Sequence, residues 1–293
     1  MNDKPAFAVD SLLALKPDRL PSEWSAHQTI LYNLGIGFGP AATEDEALLR
    51  FVLEDNVTAF PTMTAVMGSS SVGQAFFDPS YGVNFEMIVH GEEAVQLFKP
   101  LLAEGPLLCD SSIDNVWDLG EKKGAILSMS KRLYDGNDES LIAEGTSTIM
   151  LRGNGGFGGS AEGAPSVKPM PDRAPDGMAE SITRAEQALI YRMSGDTNPL
   201  HSTPAFAKLA GFPKPILHGL CTYGVCARIL VEALADQDET RLKFIKVRFS
   251  SPVFPGETIR VEYWHEGDGN YAFQAKVAER DAIVVKGGQA RIG

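Results

Sequence analysis

The apolar positions of this 293-residue chain fall into two similar series. Ile88-Val89-His90-Gly91 opens the run EEAVQLFKPLL, in which Ala94, Val95, Phe98 and Leu101 or Leu102 recur at close to helical spacing. Ile216-Leu217-His218-Gly219 opens a longer and more apolar run, LCTYGVCARILVEALA, with Leu220, Tyr223, Val225, Ile229, Leu230 and Leu234. Each run is followed by short segments with partial two-residue alternation, the pattern of half-buried strands. In the first half these are LLCDSSIDNVWDL, GAILSMSKRLYD and LIAEGTSTIML; in the second they are LKFIKVRFSSPVF, ETIRVEYWHE, YAFQAKVAE and AIVVKGGQARI. Turn signals separate them, among them GND at 136–138 and GDGN at 267–270.

A helix that is apolar around its circumference must be buried. The pattern therefore predicts an α+β chain in which an antiparallel sheet wraps a long helix, twice over. Two unrelated α+β domains could share an HG dipeptide by chance; the repeated order of elements favours duplication. Residues 152–177, RGNGGFGGSAEGAPSVKPMPDRAPDG, are dense in Gly and Pro and poor in large apolar side chains. That is the composition of a connection. The expected division is residues 1–151, a linker over 152–177, and residues 178–293.

Composition narrows the class. Apolar content of 44% and charged content of 22% are those of an ordinary globular protein, and no apolar run approaches the roughly 18 residues of a membrane span. The net charge of −12 argues against a nucleic-acid partner and against adsorption to an anionic membrane. Three cysteines, Cys109, Cys221 and Cys226, form an odd, sparse set that suits a reducing compartment, and the last two lack metal-ligand spacing. MNDKPAFAVD shows no signal-peptide pattern and ARIG no targeting address, so a cytoplasmic location is expected.

Candidate chemistry concentrates in SGDTNPLHSTPAF, residues 194–206. Asp196 and His201 stand five apart, an offset that splays side chains to different faces of a regular helix. Asn198 precedes Pro199 and is biased away from the helical region, so a tight turn is expected. Downstream, the short helix PAFAKLAGF and the extended PKPILHG lead to a helix start at Gly219. An N–H at that position lacks an intrahelical partner, and without a Cβ a ligand can approach it closely. A carboxylate, an imidazole and such a donor, with no serine elbow or nearby cysteine, suit acid–base handling of water beside a carbonyl that becomes an enolate. Counting back the 128 residues between Gly91 and Gly219 carries Asp196 and His201 onto Gly68 and Gly73, so one active site per chain is expected.

Each residue also has a plainer reading. Asp196 could cap a turn and His201 could be a structural histidine, but Gly195, Asn198, Pro199 and the later HGL weigh for catalysis. His218 reads as structural; His90 leans slightly towards a ligand. GNGGFG at 153–158 matches a dinucleotide fingerprint formally, yet it runs into SAEGAPSVKPMP and opens no helix, so a nicotinamide site is rejected. Phe76, Phe77, Tyr81 and Phe85 could line an acyl tunnel, with core packing the better account of each singly.

Residues 191–224, YRMSGDTNPLHSTPAFAKLAGFPKPILHGLCTYG, resemble the signature of the MaoC-like dehydratases, and more narrowly of hydratase 2. YNLGIGFG near 32–39, VHGEE at 89–93, LRGNGGFGG at 151–159 and RFSSPVFPGE at 248–257 extend the resemblance over most of the chain. The resemblance implies a double hot-dog fold, usually in a homodimer, and reversible hydration of trans-2-enoyl-CoA to the (3R)-3-hydroxyacyl-CoA, with no metal or organic cofactor. It implies Asp196 and His201 as the pair that grips water, Asn198 as the residue that orients it, and the Gly219 N–H as the donor to the thioester oxygen. His90, Gly91, Thr197, Pro199, Leu200 and Phe249 fall where the family contacts its ligand. The lysine-glycine loop that holds CoA in relatives corresponds to DLGEKKG at 118–124, with Lys122 or Lys123 in that role. A thioesterase or a non-catalytic acyl-CoA-binding protein on the same fold stays open as the alternative.

Overall fold

The computed structural model describes residues 6–293, the side chain of Ala41 excepted. The first half contributes strands β1 (Leu20–Trp24), β2 (Ile88–Leu97), β3 (Gly105–Asp118), β4 (Ala125–Asp135) and β5 (Leu141–Leu151). The second contributes β6 (Gly177–Ile182), β7 (Leu242–Phe249), β8 (Thr258–Gly267), β9 (Asn270–Val277) and β10 (Ala282–Ile292). All ten join one antiparallel sheet in the order β1-β3-β4-β5-β2-β7-β10-β9-β8-β6. Outwards from the central β2–β7 pair, the two halves repeat the same order of strands. Ala94 faces Lys246 at the middle of that pair, with Glu92 facing Arg248 and Gln96 facing Phe244 on either side. This is the duplication expected from the sequence, with its two sheets fused edge to edge.

Among the described residues seven α-helices lie outside the sheet: α1 (Val9–Leu13), α2 (Ala26–Gly35), α3 (Gly39–Ala42), α4 (Ser71–Phe76), α5 (Gln187–Tyr191), α6 (Pro204–Leu209) and α7 (Gly219–Leu234). Helix α7 is the buried axis of the second half, with every residue from Cys221 to Val231 buried. At 1.5 Å per residue it is about 24 Å long, enough to cross a small domain. Its side chains share one apolar core with residues of both halves, among them Tyr32, Met63, Val95, Ile245 and Val285. Arg228 ties the halves from inside this core, since its Nε donates to the Ile36 carbonyl at 3.1 Å and its Nη1 pairs with Glu232 at 2.6 Å.

The first apolar series folds differently from its sequence pattern. Residues 91–102 form no helix, because Ile88–Leu97 is strand β2, paired to β5 on one side and β7 on the other. A strand at the centre of a covered sheet is buried on both faces and loses its two-residue alternation. Glu92, Glu93, Ala94 and Val95 are consecutively buried, which in sequence looks like helical clustering. The expectation of a long central helix in each half is therefore corrected: the longest helix of the first half, α2, has ten residues, started by a Ser25–Gln28 capping box. His90-Gly91 lies on a strand and His218-Gly219 at a helix start, so the 128-residue offset does not relate equivalent positions.

Residues 152–176 contain no helix or strand, yet the glycine-rich run is pinned. The N–H groups of Gly156, Gly158 and Gly159 donate to the Asp118 carboxylate at 2.7, 2.8 and 3.2 Å, with Gly120 N–H at 2.8 Å. These donors, Gly156 foremost, hold the Asp118 carboxyl below the usual carboxylate range. Buried Asn154 accepts from Asn84 N–H and donates to the Gly82 carbonyl. Phe76 and Phe85 belong to a second apolar cluster under α1 and α4, which makes them packing groups.

Candidate functional site

Helix α5 ends at Tyr191, and a 3-10 turn over Arg192–Ser194 runs into Gly195 at φ +120°. That conformation is open to glycine and strained for other residues, so Gly195 sets the chain direction at Asp196. Asp196 Oδ1 accepts the Asn198 N–H at 3.0 Å, and Asn198 Oδ1 accepts the Leu200 N–H at 3.0 Å. Two successive side-chain caps thus shape the turn, and Pro199 opens a second 3-10 turn ending at His201. Asp196 caps with one oxygen and keeps Oδ2 free.

His201 is buried where Asp196 is exposed. Its Nδ1 lies 2.9 Å from the Ile216 carbonyl, which can only accept, so the ring proton sits on Nδ1. The Nε2 lone pair then faces Asp196 Oδ2 at 3.9 Å. This is too long for a direct hydrogen bond, but one water oxygen fits at about 2.8 Å from both atoms. Burial lowers the His201 pKa below the ordinary value, against the opposing effects of the Ile216 carbonyl and the Asp196 charge. The ring is therefore neutral, with its proton-accepting nitrogen available.

His218 stacks under His201 with ring centroids 3.8 Å apart and planes 27° apart. Its Nε2–H donates to the Asp196 carbonyl at 3.1 Å. Burial first, and then the neighbouring His201, push it down to about 4. His218, which the sequence reads as structural, holds the backbone of Asp196 through this hydrogen bond and one ring face of His201 through the stack. Tyr191 also packs against it, with ring centroids 5.1 Å apart. Only the position of His218 directly before a helix start could have signalled this.

The expected donor Gly219 is the first residue of α7. A Cβ there would meet the Phe249 ring at 3.3–3.4 Å, so glycine admits the ring against the backbone. His90 packs edge-on to Phe249, centroids 5.3 Å apart, and Gly91 follows it on β2. Leu200 closes the other side, its carbonyl accepting the Ile216 N–H at 3.4 Å, while Thr197 and Pro199 are exposed on the turn. The structure thus brings Asp196, Asn198, His201, Gly219, Phe249 and His90 to one region. Lys122 and Lys123 occupy the exposed β3–β4 turn, at the same end of the sheet as His90. No hydrogen bond or ion pair among the described residues joins them to the turn at Asp196.

Asp196, His201 and His218 each offer a potential metal-ligating atom within 4.8 Å of the others. A metal held at ~2.1 Å by both imidazoles needs lone pairs that converge in their ring planes. Nearly parallel rings stacked at 3.8 Å would leave it far outside both planes. The geometry suits proton handling. Among the described residues, no helix is long and apolar enough to cross a membrane.

Residues 22–153 match the MFE-2 hydratase 2 N-terminal domain, and residues 166–287 match the MaoC like domain. The chain is 42% identical to the 3-hydroxyacyl-thioester dehydratase Y of Mycobacterium tuberculosis, covering 92% of this chain and 90% of that protein. It belongs to the MaoC-like hydratase 2 family. A second member, the peroxisomal enoyl-CoA hydratase 2 of Arabidopsis thaliana, is 35% identical over 96% of this chain and 94% of its own length. The fold is shared too. The crystal structure of a MaoC-like dehydratase from Phytophthora Capsici superposes with a TM-score of 0.83 at 35% identity, covering 97% of this chain and 98% of the other.

Proposed function

We propose that this hydratase 2 family member catalyses the reversible hydration of trans-2-enoyl-CoA to (3R)-3-hydroxyacyl-CoA. The second half carries the chemistry and the first accommodates the acyl chain, giving one site per chain. The observation that carries the reading is the 3.9 Å separation of His201 Nε2 and Asp196 Oδ2, two proton acceptors at a distance that one water can bridge.

In the hydration direction the pair takes a proton from the water, and the oxygen bonds to C3 of the substrate. The C2–C3 π electrons move towards the thioester carbonyl, and the Gly219 N–H stabilises the resulting enolate oxygen at the positive end of α7. The proton then passes to C2. Asn198 orients the water from the same turn. His90, Gly91, Thr197, Pro199, Leu200 and Phe249 form the substrate wall, and Lys122 or Lys123 meets the CoA phosphates. The steps need no metal or organic cofactor, since CoA belongs to the substrate.

The protein acts as a cytoplasmic homodimer in this reading. Exposed Met178 and Ile182 on the outer edge strand β6 support self-association, and three buried, unpaired cysteines suit a reducing compartment. The deciding assay follows a trans-2-enoyl-CoA through loss of enoyl absorbance, release of free CoA, and product chirality. Loss of absorbance with CoA retained and an R product is expected. Free CoA released together with the 2-enoic acid, with no 3-hydroxyacyl thioester formed, would replace the reading with a thioesterase.

A further inference from the structure

A cavity of about 70 Å³ lies between the first half and the start of α7. Its walls include His90, Glu93, Lys131, Ser147, Thr64 and Leu220. His90 and Leu220 place it directly beside the proposed site, because His90 packs on Phe249 and Leu220 follows Gly219. In the hydratase reading Gly219 meets the thioester oxygen, and Leu220, the next residue, lines this space, so the space lies beside the bound thioester. Its lining is unusual for an acyl pocket, which is ordinarily apolar.

Glu93 is 5% exposed, and its Oε2 accepts from Ser147 Oγ and pairs with His90 Nε2 at 3.0 Å. Its Oε1 has no hydrogen-bond partner among the described residues. Lys131 spends one proton on the Thr64 carbonyl at 3.1 Å, and its ammonium meets no other acceptor among the described residues. Burial lowers the Lys131 pKa, with Cys109 and Glu93 opposing. The cavity thus presents unfilled donors and an unfilled acceptor from two charges of opposite sign. A methyl terminus placed there would displace water and satisfy neither, leaving buried polar groups unpaired. A carboxylate tail would face Glu93 and an ammonium tail would face Lys131. A hydroxyl donates to one and accepts from the other.

We propose that this cavity is a specificity pocket for a short acyl tail carrying a neutral hydrogen-bonding group, a hydroxyl above all. Size agrees with the chemistry. An apolar cavity of about 150 Å³ takes a benzene ring, so half that volume holds a few heavy atoms and excludes a long aliphatic tail. The inference rests on the hydratase reading for the path of the chain, and its test separates the two.

Turnover and binding are measured in parallel on the full-length protein. Hydration of hexenoyl-CoA, ω-hydroxyhexenoyl-CoA and decenoyl-CoA gives kcat/KM. Calorimetry with the saturated hexanoyl- and ω-hydroxyhexanoyl-CoA gives Kd whether or not the protein turns over. The hydroxylated thioester is expected to lead its plain counterpart by about tenfold in both measurements, and decenoyl-CoA to be the poorest substrate. Lys131→Met should abolish that lead. Lys131→Met/Glu93→Gln removes both charges together and serves if the single variant fails to fold. An equal or better result for the plain chain, or a preference unmoved in the folded variant, overturns the pocket. Absence of hydration on all three thioesters, with hydroxyl-selective binding intact, overturns the hydratase reading and leaves the pocket standing.

Discussion

His201 presents Nε2 to Asp196 Oδ2 across 3.9 Å while its Nδ1–H is spent on the Ile216 carbonyl at 2.9 Å. The carbonyl decides which nitrogen carries the proton, and the gap decides that the two side chains meet through a third oxygen. Asp196→Asn keeps the oxygen that caps Asn198 N–H and removes only the charge. It is expected to lower kcat by about a hundredfold or more, as removal of a general acid–base group does, with the melting temperature held within a few degrees. His201→Ala should lose as much. Wild-type-like rates in both variants would end the proposed mechanism.

The pH profile of kcat/KM follows from the same ring. Catalysis uses neutral His201, and burial lowers its pKa below the ordinary 6.5. The active form therefore persists as pH falls through the usual histidine range, and activity drops only on further acidification. The Asp196 charge opposes that lowering, so Asp196→Asn should move the His201 titration still lower in an NMR experiment. A rise would contradict the arrangement.

His218 links acid to stability. Its folded value of about 4 lies below the ordinary 6.5, so between those values the unfolded chain binds the proton more readily. The contribution is fully present above pH 6.5 and is lost as pH falls towards 4, by about 3 kcal/mol at most at 1.36 kcal/mol per pKa unit. Urea unfolding at several pH values, compared with His218→Phe, reads it directly. The variant keeps a stacking ring and should show a shallower decline.

Glu92 sits 5% exposed against Lys246 Nζ at 3.0 Å and Arg248 Nη1 at 3.3 Å, across the pairing of β2 with β7. Removing the carboxylate leaves two partly buried cations without a counter-charge. Glu92→Gln is expected to cost on the order of 2 kcal/mol in chemical denaturation. The loss should shrink when Lys246→Met is added, because the surplus charge is then reduced.

Those ion pairs mark where sequence reading stops. The Asp-His turn was legible because Gly195, Asn198 and Pro199 each dictate local backbone within a few residues. Helix α7 was legible because a helix apolar around nearly all of its circumference has only one place to go. Strand β2 was not, since its burial comes from β5 and β7, partners about 50 and 150 residues away in sequence, and nothing in EEAVQLF encodes them. His218 was half-legible: its place before a helix shows in the sequence, and its stacking on His201 needs the fold.

Gly219 offers the most discriminating variant. Alanine is the better helix former, so Gly219→Ala should not weaken α7. The new Cβ, however, would meet the Phe249 ring at 3.3–3.4 Å, and the ring or the helix start must give by a few tenths of an ångström. The N–H donor remains but its approach is altered, so the loss should be smaller than for deletion of an oxyanion donor, about ten- to a hundredfold in kcat/KM. Phe249→Leu introduced into the same chain removes the ring edge and should recover part of that loss. Strict additivity of the two substitutions in a double-mutant cycle would show that ring and glycine act independently, and would overturn the steric account of the loss.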